Sequence, residues 1–440
     1  MNALRLAHTI PADRRFSKLK SDYFDRQLQS LRFNPYLALS VVHNAVLSSL
    51  SIERTDERFL LAGSTDGSLF IYDLDQAPDD KDSMFGSDQV LDSLLSVERA
   101  QGGHDSAIAN VLWYPLDTGI FTTSSTDGQT RVWDTNAMQA ACTFSLGHPI
   151  YCHSLSSIGI SHSLIATGGA CPDIRLCDMR TGAASHTLRG HSGNIFAVQW
   201  SPRNEFLLAS GSADKTIKLW DVRKGNAFLK NLDQRNEGSE GATAHNASVN
   251  GLVFTSDGLH LLSCGLDSEI RLWDQWTGRR TKTRYESIQN KTKTNVLPAI
   301  VSSIHQSLPY LFFPNNDRSI LVANLFSGET VQLLDRAPDH IRCIALREKS
   351  QTLYSGGGAR GCLVWSPLQA EPKSSRGRRP KDPPHNDPHD DDDDDGSNHG
   401  GDYDGGRALG KRPPPGNSRR GGSGAGSRQG SKRFRAFYVR

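Results

Sequence analysis

The chain has 440 residues, enough for one large core or two ordinary ones, and 50 Lys+Arg against 48 Asp+Glu leave a formal charge of +2, so no overall field draws it to nucleic acid or anionic lipid. Seven cysteines (142, 152, 171, 177, 264, 343, 362) are odd in number and form no C-x-x-C pair, which argues against a disulfide framework or zinc finger and for a reducing compartment. No apolar run approaches the ~20 residues that span a bilayer, and the first residues lack the apolar core of a signal peptide, so a soluble intracellular protein with no membrane contact is expected.

Residues 1–36 are too short for a domain but are patterned. Phe24, Leu28 and Leu31 fall on one helical face, and Pro11 separates them from an earlier stretch with Leu4, Leu6 and Ile10, so a helix-loop-helix arm is predicted. Arg5, Arg14, Arg15, Lys18, Lys20, Arg26 and Arg32 make it basic, while Asp13, Asp22 and Asp25 break the acid-poor pattern of a mitochondrial presequence. An apolar stripe that the arm cannot bury by itself points to a partner's groove; packing back onto the rest of the chain is the alternative.

From residue 37 to 366 the chain repeats. The clearest copy runs from Gly190-His191 through Ala197-Val198-Gln199-Trp200-Ser201-Pro202, Leu207 to Ser212, and Asp214 to Ile217-Lys218-Leu219-Trp220-Asp221. These are short alternating or wholly apolar runs broken by turn residues, hence antiparallel strands joined by hairpins. Anchored on the residue before each closing Asp, the unit recurs at Tyr72, Trp133, Cys177, Trp220 and Trp273, with weaker equivalents at Ala323 and Trp365. Two further offsets agree with that alignment. An Asp stands six residues earlier at Asp66, Asp127, Asp214, Asp267 and Asp317, and a His stands 28 or 29 earlier at His43, His104, His148, His191 and His245. Insertions fall near residues 76–100, 225–243 and 279–297.

A fixed period of about 40–45 residues marks the blades of a propeller, and this spacing resembles the WD repeat. An all-β, seven-bladed WD-repeat β-propeller is therefore predicted. The resemblance implies a buried set in each complete blade, in which a turn Asp bonds a His, the His bonds a second-strand Ser or Thr, and that hydroxyl meets a Trp ring N–H. The sets are His104, Thr123, Asp127 and Trp133; His191, Ser210, Asp214 and Trp220; and His245, Ser263, Asp267 and Trp273. Ser, His and Asp together invite a hydrolase reading. The trio recurs blade after blade with its Trp, however, and no G-x-S-x-G elbow exists, so no catalytic, cofactor or metal site is expected. His340 to Ser366 offers three strands only, and Leu37 to Val42 belongs to no unit, so this N-terminal run is predicted to supply the outer strand of the last blade and close the ring.

From residue 367 to 440 the character changes. Between Glu371 and Arg433 the only large apolar residues are Tyr403 and Leu409, so nothing offsets the entropy of ordering the chain and a disordered tail is expected. Its charges are segregated, with Asp382, Asp387, Asp390 to Asp395, Asp402 and Asp404 first, and then ten Lys/Arg from Arg407 to Arg440. Arg378-Arg379-Pro380-Lys381 and Lys432-Arg433-Phe434-Arg435 are candidate nuclear-import signals, and Arg419-Arg420-Gly421-Gly422 hints at weak, salt-sensitive nucleic-acid contact. The Asp run with His385, His389 and His399 lacks the defined spacing of a metal site.

Several words go beyond the generic repeat. Trp113-Tyr114-Pro115 with Asp117-Thr118-Gly119, Val132-Trp133-Asp134-Thr135-Asn136, Thr243-Ala244-His245-Asn246 leading to Val249-Asn250-Gly251, the run Phe254 to Leu262, and Ser327-Gly328-Glu329 resemble the Cockayne syndrome group A family of WD-repeat proteins. The likeness covers the propeller and the character of the arm, not the tail. It implies a non-catalytic substrate receptor of a cullin-type ubiquitin ligase in transcription-coupled nucleotide excision repair, nuclear, and docked on the damaged-DNA-binding adaptor protein. RNA polymerase II and a Cockayne syndrome group B-type ATPase are the implied clients. Receptors of this kind often carry a box ending W-D-x-R; Leu208 to Arg223 ends so, and Asp178-Met179-Arg180 is an imperfect second copy. The implied adaptor contacts are Arg180 and Arg223, whose guanidinium forks suit carboxylates or carbonyls, with Leu4, Phe24, Leu28 and Leu31 of the arm. The rival reading is a WD-repeat scaffold in nuclear RNA processing that holds RNA through the Arg/Gly tail.

Overall fold

A computed structural model describes residues 22–41, 45–76, 89–159, 161–237, 241–301, 309–335, 337–358 and 361–367. Residues 22–29 form a helix that leads directly into β1 (Leu31–Leu39). The first blade follows as β2 (Leu47–Ile52), β3 (Phe59–Ser64), β4 (Leu69–Asp73) and, after the short strand β5 (Gln89–Leu91), β6 (Leu95–Val97). The second is β7 (Ile108–Trp113), β8 (Ile120–Ser125), β9 (Gln129–Asp134) and β10 (Gln139–Ser145); the third is β11 (Ile150–Leu155), β12 (Leu164–Gly169), β13 (Cys171–Asp178) and β14 (Ala183–Leu188). The fourth is β15 (Ile195–Trp200), β16 (Leu207–Ser212), β17 (Ile217–Asp221) and β18 (Phe228–Asn231). The fifth keeps three strands, β19 (Val249–Phe254), β20 (His260–Gly265) and β21 (Ile270–Asp274), with only isolated bridges such as Trp273 to Arg280 beyond them. The sixth is β22 (Ala299–Val301), β23 (Tyr310–Pro314), β24 (Ile320–Asn324) and β25 (Thr330–Leu334), and the seventh is β26 (Cys343–Arg347), β27 (Thr352–Gly358) and β28 (Gly361–Pro367), completed by β1.

The described residues thus form a seven-bladed propeller, whose regular structure is strand apart from the helix of residues 22–29 and two short 3-10 turns. Each sheet is sandwiched between two others, so alternate residues of a middle strand serve different neighbours. In the first blade Leu60, Ala62, Phe70 and Tyr72 pack toward the seventh, while Leu61, Leu69 and Ile71 pack toward the second. Burial on both faces is why Leu207–Ser212 reads as a continuous run with no exposed residue. Seven apolar clusters result, one between each adjacent pair of sheets around the whole circle. Close approach is needed where the next blade's first strand inserts. A Cβ on Gly63 would stand 2.7 Å from Ile108, one on Gly168 2.5 Å from Ile195, and one on Gly211 2.7 Å from Val249. Glycine recurs at that register for this reason.

The ring closes through the N-terminus, with β1 antiparallel to β28 from Leu31 opposite Pro367 to Leu39 opposite Cys362. One boundary differs from the sequence reading. The closing strand begins at Leu31 rather than Leu37, so residues 31–36 belong to the ring and not to an arm; the helix of residues 22–29 falls in the second half of the expected helix-loop-helix, and the first half, with Leu4, Leu6 and Ile10, lies outside the described residues. The insertion after the first blade's third strand also has a structural use: β5 pairs in parallel with Leu37–Leu39 and covers the outer edge of the closing strand. The tail from residue 368 lies outside the described residues.

Candidate functional site

Antiparallel strands that run in and out of a ring put their corners on two faces. Corners between second and third strands, and those passing from one blade to the next, share one face, and the three complete hydrogen-bonded sets lie beneath it. His104 Nδ1 is 2.8 Å from Asp127 Oδ2 and its Nε2 is 2.7 Å from Thr123 Oγ1, which accepts the Trp133 ring N–H at 2.8 Å. His191 meets Asp214 at 2.8 Å and Ser210 at 2.7 Å, and Trp220 donates to Ser210 at 2.8 Å. His245 meets Asp267 at 3.0 Å and Ser263 at 2.7 Å, and Trp273 donates to Ser263 at 2.8 Å. One assignment satisfies every atom: the indole donates to the hydroxyl, the hydroxyl donates to Nε2, and Nδ1–H donates to the carboxylate.

Burial pushes His191 and His245 below the usual histidine value, against the pull of their aspartates. For Asp214 and Asp267 burial alone would raise the carboxyl, but the bonds from their histidines bring it below the usual range. Thr123, Ser210 and Ser263 are fully buried, so no substrate reaches these hydroxyls. They are fasteners, and each carboxylate also ties down its corner by accepting the N–H of Asp105, Ser192 or Asn246. The repeat spacing alone does not guarantee such a set. His148 keeps the histidine offset, but its blade has Cys171 at the turn position, its Nδ1 lies 3.4 Å from its neighbour's carbonyl, and its Nε2 is unpaired. His43 lies outside the described residues.

The opposite face carries the corners between first and second and between third and fourth strands. Arg223 stands in the corner after β17 and donates from Nε and Nη2 to both oxygens of Asp221, at 3.0 and 2.8 Å. That pairing holds the Asp221 carboxyl below its usual range. The guanidinium lies 4.6 Å over the Phe206 ring, and the side chain stays 56% exposed, so its plane is braced while part of it remains open to solvent. Arg180 occupies the equivalent corner one blade earlier, exposed, with Nε donating to Ser163 Oγ at 3.2 Å. The helix of residues 22–29 is on this face as well, because Leu31 pairs with Pro367 where the third strand of the seventh blade ends.

Two residues expected to meet a partner have no exposed surface with which to do so. Leu28 and Leu31 are fully buried in the cluster between the sixth and seventh blades, among Tyr310, Phe312, Val322 and Trp365. Gln29 and Gln332 pin the segment there through Tyr310 OH and the Leu31 carbonyl. The physical reason is that the gap between two blades offers a dry apolar site closer than any other molecule's groove. Phe24 is half-buried, edge-on to the exposed Tyr23 at 6.0 Å, and Leu4 lies outside the described residues. Sequence reasoning missed Phe206 and Asp221, which brace Arg223, and it missed Trp276. The signal for the last was present, since Trp276 is the one tryptophan after an anchor that fits no repeat position.

The pattern described as "WD domain, G-beta repeat" matches residues 96–134, 182–221 and 238–274. The chain is 30% identical over 429 residues to WD repeat-containing protein ATCSA-1 of Arabidopsis thaliana, covering 81% of this chain and 94% of that protein. It is 27% identical to radiation-sensitive protein 28 of Saccharomyces cerevisiae over 44% of this chain and 43% of that one. A ribosome biogenesis protein WDR12 homolog of Drosophila persimilis is 28% identical over 52% and 51%. The chain thus spans nearly all of the first and about half or less of the other two. On the seven-bladed ring, the matched repeats and the near full-length likeness to ATCSA-1, this chain belongs to the Cockayne syndrome group A family of WD-repeat proteins.

Proposed function

We propose that this chain is a non-catalytic substrate receptor of a cullin-type ubiquitin ligase, acting in the nucleus in transcription-coupled nucleotide excision repair. One observation carries the reading: Arg180, Arg223 and the helix joined to residues 1–21 share a single face of the ring, as a two-part grip on a damaged-DNA-binding adaptor protein requires. Family membership supports the repair role. The ring holds the adaptor on this face, while its other surfaces take a client such as RNA polymerase II or a Cockayne syndrome group B-type ATPase. Client lysines are thereby concentrated near the ubiquitin-loaded enzyme, and the chemistry belongs to the partners.

A second reading, a nuclear RNA-processing scaffold, draws on the WDR12-type relative and on the Arg/Gly tail. Co-purification of the adaptor separates the two. It is measured with the intact chain, with residues 1–21 removed, and with Arg180→Ala and Arg223→Ala combined. Each change is expected to weaken capture by about tenfold or more. Capture untouched by both changes overturns the receptor reading.

A further inference from the structure

The arginine face also carries an apolar ledge. Among the described residues, the large hydrophobics exposed in corners between strands are Leu94, Leu116, Leu259, Trp276 and Phe326, and all stand on this face. Three of them stand on corners joined through their neighbours. Gln275 N–H donates to the Leu259 carbonyl at 2.9 Å, and the Phe326 ring packs edge-on against His260 at 5.1 Å, so Trp276, Leu259 and Phe326 follow one another across the fifth and sixth blades. Trp276 is 87% exposed, and the other six tryptophans are buried. Its exposure comes from a stiff corner. Asp274 Oδ1 accepts both the N–H and the hydroxyl of Thr277, Gly278 N–H closes onto the Asp274 carbonyl at 2.8 Å, and Lys230 Nζ donates to the Trp276 carbonyl at 3.2 Å.

The ledge continues the arginine site. Gly258, beside Leu259, lies against Arg203 and Pro202 of the fourth blade, and that blade's corner holds Phe206 and Arg223. In the other direction the sixth blade adjoins the helix of residues 22–29 through Leu28 and Tyr310. The ledge therefore fills the arc between the two halves of the proposed grip. Charges of both signs edge it: Arg203, Arg279 and Arg223, the last paired with Asp221, stand beside Asp257 and Asp274, whose carboxylates accept bonds from Thr255, Leu259 and Thr277 of their own corners.

We infer that Trp276, with Leu259 and Phe326, is the apolar anchor of the adaptor contact, seating in an apolar cleft of the adaptor. This rests on the receptor reading above. An indole already held outward loses little freedom on docking, and interface energy concentrates on such residues when arginines surround them.

The test uses the full chain labelled with 5-fluorotryptophan and unlabelled adaptor from the same organism. The resonance lost in Trp276→Phe identifies the exposed indole, and it is expected to shift and lose its solvent isotope effect when adaptor is added. Trp276→Ala and, separately, Phe326→Ser are expected to weaken adaptor binding by about tenfold or more, with unchanged melting temperatures because both side chains are exposed. If Trp276→Ala binds as well as wild type while Arg180→Ala with Arg223→Ala does not, the ledge assignment fails and the receptor reading stands. If the intact chain binds no adaptor, both fail. A Trp276 resonance that moves instead on concentrating the chain alone, or on removing residues 374–440, makes the occupant a second copy or the tail and overturns the assignment.

Discussion

The hydroxyl of Ser210 accepts from Trp220 and donates to His191 in an interior without solvent. Ser210→Ala strands both partners, so a loss of about 2–4 kcal/mol is expected in urea unfolding, with a similar loss for Thr123→Val in the second blade. A cost below about 0.5 kcal/mol would mean the network is not a fastener. His153 is buried between the hydroxyls of Thr122 and Ser124, both at 2.9 Å, and burial, with a smaller push from His104, drives it down to about 3. Since the unfolded chain takes the proton first, near the ordinary ~6.5, its contribution is complete above that pH and is lost as pH falls toward 3. The slope is up to about 1.4 kcal/mol per pH unit for each such histidine, and His191 and His245 act in the same direction. His153→Gln is expected to remove about one proton from the acid-side slope measured by unfolding at pH 4 to 7. An unchanged slope would show that another group governs the acid limb.

Among the elements, the helix of residues 22–29 with β1 was the hardest to read. Phe24, Leu28 and Leu31 satisfy a helical period, yet the helix ends before Leu31 and the last of the three opens a strand. A periodicity of three positions cannot reveal such a change of element. Because Leu28 fills the space between two blades, Leu28→Ala is expected to cost about 2–5 kcal/mol of stability, seen as a lower urea midpoint, while adaptor binding per folded molecule stays unchanged. Weaker binding at full stability would return Leu28 to the interface. The seam it guards is doubly protected, since Phe33 packs on Trp365 at 5.5 Å and β5 covers the outer edge of β1.

For the whole molecule the decisive feature is the difference between its faces. The hydrogen-bonded corners on one face are polar and tied down, whereas the other presents braced arginines, a helix and exposed aromatic side chains. Under the proposed receptor reading, the apolar groups exposed at these corners are where the adaptor sits. Between Glu371 and Arg433 the tail has only Tyr403 and Leu409 as large apolar residues with which to join a core. Deleting residues 374–440 is expected to leave the melting temperature and adaptor capture unchanged and to remove any salt-sensitive RNA retention measured by filter binding. Loss of adaptor capture on that deletion would contradict the face assignment made here.

Seven repeats, the turn aspartates and the strand-by-strand alternation were legible in the amino-acid order because each blade is a local unit with its own period. Ring closure by the N-terminus was legible too, as a count of strands one short. Which residues are free for a partner was not. Leu28 and Leu31 looked available and are buried, whereas Trp276, which fits no repeat position and drew no attention in the sequence, is exposed. Accessibility is decided by contacts between segments hundreds of residues apart, such as Leu31 with Pro367, and a local pattern holds no record of them. Order along the chain determined the blades; only their closure into a ring decided which side chains remain outside.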